Sequence, residues 1–329
     1  MTLRARHPSA YERALAFCRD HRVVLPGERV LIGSGSGMTS LGVLGFLRLA
    51  QHDLELGELA VGAVDFGGDD SADAVADTGR FARQLGVSFY AISAEGRRPL
   101  ESLRILAKRE GFGRIALGHT RDDAVAHVFA RLVRGIPLAR LSPLVARRRD
   151  GIVRPLLDLR DAEALELART AGIEPTSLPP DPTARLPLEL RLRQSVLPRL
   201  RVEVHGCDEA LLRAARDARR WAKYLEREVG SVFAKGVLTA NRAEIVVGNV
   251  PRVLAEAVAE SVLRQLGVSM SVRKAARFPL ARLLWLPHER KQPHEIVLGP
   301  GLIATYLPDR QVIAVRTARR DRSTVEGIG

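Results

Sequence analysis

Cysteine is nearly absent. The 329 residues contain two, Cys18 and Cys207, far apart and without a C-x-x-C pattern. That spacing excludes a zinc ribbon and a disulfide framework. Cys18 reads as a packed helical residue, with a reactive thiol as the alternative. Aromatic residues make up 5% of the chain, which argues against a stacking platform for single-stranded nucleic acid. No uninterrupted apolar run is long enough to cross a bilayer, and the basic residues near Met1 are not followed by a signal-peptide core. These absences predict a cytoplasmic protein with no membrane partner. There is no internal repeat.

Positive charge is in excess. A net charge of +13 and a sequence pI near 10.7 point to a polyanionic partner, of which nucleic acid is the commonest. An arginine-rich proteome from a GC-rich genome is the competing explanation. With 46% hydrophobic and 27% charged residues the chain reads as globular, and its length accommodates two domains with a third small one.

The chain is organised around Val30–Leu41. Three apolar residues suit a buried parallel strand, a run of small residues follows, and Ser40–Leu47 has the apolar spacing of a helix against a sheet. A strand, a glycine-rich turn and a helix N-terminus together hold anions well, because glycine admits close backbone approach and the free amides favour phosphate. The turn is not a Walker A loop, since no Gly-Lys-Ser/Thr follows it. A turn that is glycine-rich only for tightness is the alternative.

Residues 9–22 read as a helix ahead of a strand at Arg29–Ile32. Further strands are expected at Leu59–Val64, Val87–Ile92 and Arg114–Leu117, with helices at Ala72–Leu85, Glu101–Glu110 and Asp122–Arg134. This alternation predicts an α/β fold, a parallel sheet with helices on both faces. Ligands of such sheets sit at the carboxyl ends of strands, where Ser34–Ser40, Asp65 and His119–Asp123 fall. Beyond Ile136 come Arg140 and Arg147–Arg149, a helix at Asp161–Ala171, a proline-rich loop at Pro175–Pro187, and a long basic helical region at Leu190–Glu228 interrupted near Pro198 and Gly206. A small α+β region follows, with a helix at Pro251–Leu266, strands near Ile296–Leu298 and Gln311–Val315, and a frayed tail from Arg319.

Asp122 and Asp123 begin a helix at a strand end. Adjacent carboxylates there can bind a metal that carries nucleotide phosphates, or cap the helix. His119 can serve as a base or hydrogen-bond donor near neutral pH, or bond to backbone.

The order of these motifs resembles the PP-loop ATP pyrophosphatases, and within them tRNA(Ile)-lysidine synthetase. Ala116–Asp123 fits the A-T-G-H-H-x-D-D segment, and Leu132–Pro137 fits L-x-R-G. Ile152–Leu157 fits I-x-R-P-L-L, and Arg191–Pro198 fits the end of R-N-R-I-R-x-x-V-L-P. The resemblance implies a PP-loop domain over 1–145, a helical tRNA-contacting region over 146–230 and a C-terminal region over 231–329. It implies adenylation of a tRNA cytidine by ATP with Mg²⁺, followed by attack of free lysine. Ser34, Gly35, Ser36, Gly37, Thr39, Ser40, Asp65, Gly118 and Arg134 would then hold nucleotide. His119, Asp122 and Asp123 would be catalytic, with Asp123 the metal ligand. Arg147, Arg148, Arg149, Arg191 and Arg193 would contact RNA. A homodimer is left open.

Several positions depart from the family pattern. The loop S-G-G-x-D-S is here Gly35–Ser40, with Thr39 in place of the acid, and H-x-x-H-x-L-R is replaced by Ala63–Asp69. The Glu after Asp-Asp is Ala126, D-S-x-N is missing around Thr176–Asp181, and the first Arg-Asn of R-N-R-I-R is Glu189-Leu190. Three readings remain open: an active tRNA-cytidine ligase, a paralogue that binds tRNA or nucleotide without turnover, and a tRNA-thiolating enzyme, which the scarcity of cysteine disfavours.

Overall fold

The computed structural model describes residues 8–34, 37–136, 141–174, 187–233, 236–239, 241–246, 250–285 and 293–317. Its first sheet has five parallel strands: β1 (Val30–Ser34), β2 (Leu59–Asp65), β3 (Ser88–Ser93), β4 (Arg114–Leu117) and β5 (Ile152–Val153). Their order is β3-β2-β1-β4-β5. The chain winds outward from β1 through β2 to β3, then crosses back to lay β4 on the other side of β1. Between β1 and β4 the winding reverses, which opens a crevice at their carboxyl ends.

Alternate residues of each strand feed two different cores. Val30, Ile32, Val61, Ala116 and Val153 pack on one face, and Leu31, Ala60, Ile115 and Ile152 on the other. The first core is closed by α1 (Ala10–Asp20), α2 (Met38–Leu49), α3 (Asp69–Gln84) and α6 (Asp161–Thr170). The second is closed by α4 (Pro99–Arg109). Near-continuous apolar strands are what two-sided burial requires. A third cluster joins α5 (Arg121–Val133) to Leu197, Leu212 and Ala215.

The parallel sheet and its helices therefore stand as expected, with small shifts. Helix α2 begins at Met38 rather than Ser40, and α3 at Asp69 rather than Ala72. Strand β5, only two residues long, lies within a stretch whose length gives no periodicity to read. Most of the proline-rich loop (175–186) and the tail lie outside the described residues.

Beyond it, α7 (Leu188–Arg191), a π-helical turn (Leu192–Val196), α8 (Leu197–Glu203) and α9 (Cys207–Phe233) form the basic helical region. Pro198 has no amide to donate, so it sits in the first turn of α8, where none is needed. Gly206, at φ +77°, separates α8 from α9.

By its contacts the chain divides into two units, Met1–Ala218 and Arg219–Gly329. The second unit has an antiparallel sheet of β6 (Val237–Leu238), β7 (Arg242–Val246), β8 (His294–Gly299), β9 (Leu302–Leu307) and β10 (Val312–Thr317), in the order β6-β7-β10-β9-β8. Its core is shared with α10 (Arg252–Gln265), α11 (Met270–Trp285) and the last turns of α9. Neither α11 nor β9 is evident in the sequence. Pro279 inside α11 disguises a helix, and Ile303 and Leu307 on the less buried side of β9 blur its alternation.

Helices α2 and α6 meet backbone to backbone. A Cβ on Gly42 would lie 2.4 Å from the Ala164 carbonyl oxygen, and one on Gly45 would lie 2.8 Å from that of Leu167. Gly42→Ala must push the helices apart and is expected to cost about 1–3 kcal/mol. Urea unfolding followed by circular dichroism reads this directly. An unchanged midpoint would show that the contact yields without penalty.

Candidate nucleotide site

The crevice at the reversal point is built around two glycines. Gly37 is the N-cap of α2 and offers no side-chain acceptor, and the first turn of the helix carries no acidic residue. Its leading amides therefore lack both a capping side chain and a competing negative charge, the condition under which a helix start receives an anion. Gly118, at the end of β4, lets this turn settle against the strand. A Cβ there would fall 2.7 Å from the Ser40 amide nitrogen and 2.9 Å from its Cα. Thr39 and Ser40 lie in the same turn, and Ser34 is buried at the end of β1. Gly35 and Ser36 lie outside the described residues.

The acids at the start of α5 have other partners. Asp122 is buried; it accepts from Arg201 at 2.5 Å, from Arg160 at 3.3 Å and from the Asp161 amide at 3.0 Å. Arg201 and Arg160 also hold the buried Asp208, at 3.0 and 3.1 Å. Asp123 accepts from the Thr120 amide at 2.9 Å in a capping box and from the Arg193 guanidinium. Arg193 also binds Asp161, and the Thr120 hydroxyl donates to Asp161 at 2.6 Å. Burial pushes the Asp161 carboxyl up, against the pull of Thr120 and Arg193. These bonds draw together the starts of α5, α6 and α9, the π-helical turn and α8. Asp161, Arg160, Arg201 and Asp208 belong to the site neighbourhood without having been singled out in the sequence. Their pairings span up to 79 residues, and no local pattern announces them.

His119 follows β4 directly. Burial, with the positive charge of Arg154 next, brings its pKa down to about 4. Its Nδ1 is buried and has no hydrogen-bond partner among the described residues. Arg154 is itself buried and donates to the Val145 carbonyl at 2.9 Å. Asp65, at the end of β2, accepts from the Ser71 hydroxyl at 2.7 Å and the Gly67 amide at 2.9 Å, which lower its pKa in that order and shape the turn into α3. Arg134 pairs with Glu189 at 2.6 Å.

The arginines expected at RNA divide. Arg147 turns inward to Glu28 at 2.8 Å and the Val23 carbonyl at 3.1 Å. Burial alone would raise Glu28, but bonds from Arg147 and Arg114 outweigh it and bring the carboxyl down to about 2. Arg193 is held by Asp123 and Asp161, and Arg148 pairs with Asp150 at 2.7 Å. Arg149 and Arg191 are exposed, with no acidic partner among the described residues.

The donor set suits a nucleotide phosphate: uncapped amides at α2 and a glycine-bounded cradle. It does not suit a magnesium ion held by side chains. Among the described residues no group of three acidic, histidine or cysteine side chains is placed to bind one, and arginines occupy Asp122 and Asp123. Among those residues, too, no helix is long and apolar enough to cross a membrane.

No established family profile matches the chain. Individual proteins do. It is 30% identical over 259 residues to the tRNA(Ile)-lysidine synthase of Solibacter usitatus (strain Ellin6076), covering 73% of this chain and 56% of that one. It is 35% identical over 158 residues to the tRNA(Ile)-lysidine synthase of Bradyrhizobium sp. (strain BTAi1 / ATCC BAA-1182), 43% of each. The chain thus spans about half the length of the curated relatives it matches. Among solved structures it resembles the U34-tRNA thiolase NcsA from Methanococcus maripaludis, with a TM-score of 0.52 and 15% identity over 65% of this chain and 79% of that one. In sequence, then, the chain is similar to tRNA(Ile)-lysidine synthases over about half of their length, and its fold is a doubly wound parallel sheet shared with that thiolase.

Proposed function

We propose that the chain is a cytoplasmic tRNA(Ile)-lysidine synthase-like ligase acting on a tRNA cytidine, with ATP and free lysine as co-substrates. The observation that carries this reading is the anion cradle between β1 and β4, in a chain related to lysidine synthases. The cytidine carbonyl oxygen attacks the α-phosphorus of ATP; an O–P bond forms and pyrophosphate leaves. The lysine amine then bonds to the activated ring carbon, the C–O bond breaks and AMP departs with that oxygen. The amides opening α2 offset the charge that grows on the phosphates. With its pKa near 4, His119 is neutral at pH 7 and acts as a hydrogen-bonding group rather than a strong base. Buried Cys18, whose thiol burial pushes up to about 12, is unsuited to thiolate chemistry.

A second reading, binding without turnover, draws on one observation: Thr39 replaces an acid while arginines occupy Asp122 and Asp123. ATP–pyrophosphate exchange separates the two. The wild type is expected to exchange label when a tRNA(Ile) transcript with a wobble cytidine is present. In Asp123→Asn exchange should fall at least about ten-fold with a shift in melting temperature, because the capping box and Arg193 lose a charged partner. A wild type that binds tRNA without exchange, and gains it in Thr39→Asp, would establish the second reading.

The His119 assignment has its own pH signature. Because its folded pKa lies below the ordinary value, the unfolded chain takes up the proton first. The stability tied to the neutral ring is therefore present above about pH 6.5 and lost as pH falls toward 4. His119→Gln should flatten the stability profile over that window. An NMR titration of the wild-type ring with a midpoint near 6.5 would contradict the burial argument.

A further inference from the structure

Many cations of the first unit, Arg147, Arg193 and Arg201 among them, are held by carboxylates inside it, whereas Lys223 and Arg227 on the latter half of α9 have no acidic partner among the described residues. There, in the second unit, Trp221 is 65% exposed and Tyr224 50%. Their rings meet edge to face, 6.0 Å between centroids and 89° between planes, and both residues keep half or more of their surface in solvent. Lys223 and Arg227 flank them, and among the described residues neither has an acidic partner. Positions 220, 224 and 227 fall on one stripe of the helix, with 223 beside it. Lys223 and Arg227, four residues apart, repel each other and weaken an isolated helix. Two exposed aromatic rings set among unneutralised cations are a costly arrangement for bare solvent and a fitting one for an unpaired nucleotide.

We infer that Trp221 and Tyr224, with Lys223 and Arg227, form a stacking platform for an unpaired nucleotide of the RNA substrate. This rests on the tRNA-modifying reading and adds a contact that it does not supply. A base has a π-face that stacks on an aromatic ring whatever its sequence, and its flanking phosphates pair with Lys223 and Arg227. Charge complementarity favours RNA over a second copy of the chain, since a two-fold contact through this face would set Lys223 and Arg227 against their own counterparts. The low overall aromatic content had argued against such a platform. One helix face needs only two rings.

The test uses the full chain and a fluorescently labelled, unmodified tRNA(Ile) transcript. The double variant Trp221→Ala/Tyr224→Ala is expected to bind it about ten-fold more weakly, with ATP binding unchanged and Trp221→Phe retaining most of the affinity. Lys223→Gln/Arg227→Gln should reduce the log–log salt slope by about 1.4–1.8. Trp285, packed under Arg252 at 4.5 Å, is the other tryptophan, so in Trp285→Phe the emission comes from Trp221 alone. That emission should be quenched by the transcript and by single-stranded RNA, and much less by a blunt duplex. Unchanged tRNA affinity in the aromatic double variant would overturn the platform, as would self-association that this variant abolishes without affecting tRNA. Exchange activity without quenching would remove the platform alone. Quenching without exchange would leave the platform standing and remove the catalytic reading. A wild type that binds no tRNA would contradict both.

Discussion

Four carboxylates and three guanidiniums converge where α5, α6 and α9 begin. Asp122 and Asp208 are almost wholly removed from water, and a buried carboxylate is tolerable only when fully paired and hydrogen-bonded. Arg201 and Arg160 each bridge both of them, and Arg193 joins Asp123 to Asp161. The result fastens helix starts that are far apart in sequence to the mouth of the crevice. The orientation of α5, and with it the setting of Gly118 and His119, depends on this charge cluster. A pair of adjacent aspartates at a strand's carboxyl end invites a metal-binding interpretation. Here their oxygens are occupied from within the fold.

The departures from the family pattern make physical sense together. Glu189, where the pattern has arginine, neutralises Arg134 across 55 residues. Thr39, where it has an acid, leaves the start of α2 free of negative charge. The start of α2 thus presents backbone amides, closely approached by Gly118, with no side-chain carboxylate in its first turn. Outside this region the arginines separate by role. Arg147 serves the scaffold through Glu28, while Arg227, with Lys223 beside it, is exposed near Trp221 and Tyr224.

Much of the first unit was legible in the sequence, because β1, β2 and β4 are continuous apolar runs and the helices between them carry period-3.6 stripes. The glycine turn after β1 and the histidine after β4 could be placed at strand ends from order alone. What the charges do was not legible. The run Arg147–Arg149 reads as one basic patch, yet Arg147, in a β-bridge with Val153, points into the fold toward Glu28. Asp122 and Asp123 look alike in sequence, and their different burial follows from helix phase against α8 and α9. In the second unit Pro279 hid a helix and mixed apolar faces hid β9. Average aromatic content likewise concealed that Trp221 and Tyr224 share one exposed face.

The claim that the α5 acids fasten the fold is tested most directly by equilibrium unfolding of Asp122→Asn. Removing one charge from a buried, bridged group should cost about 3 kcal/mol, seen as a lower urea midpoint at unchanged slope. Exchange measured well below that midpoint should retain most of the wild-type rate. Wild-type stability together with abolished exchange would contradict the account and return Asp122 to the chemistry.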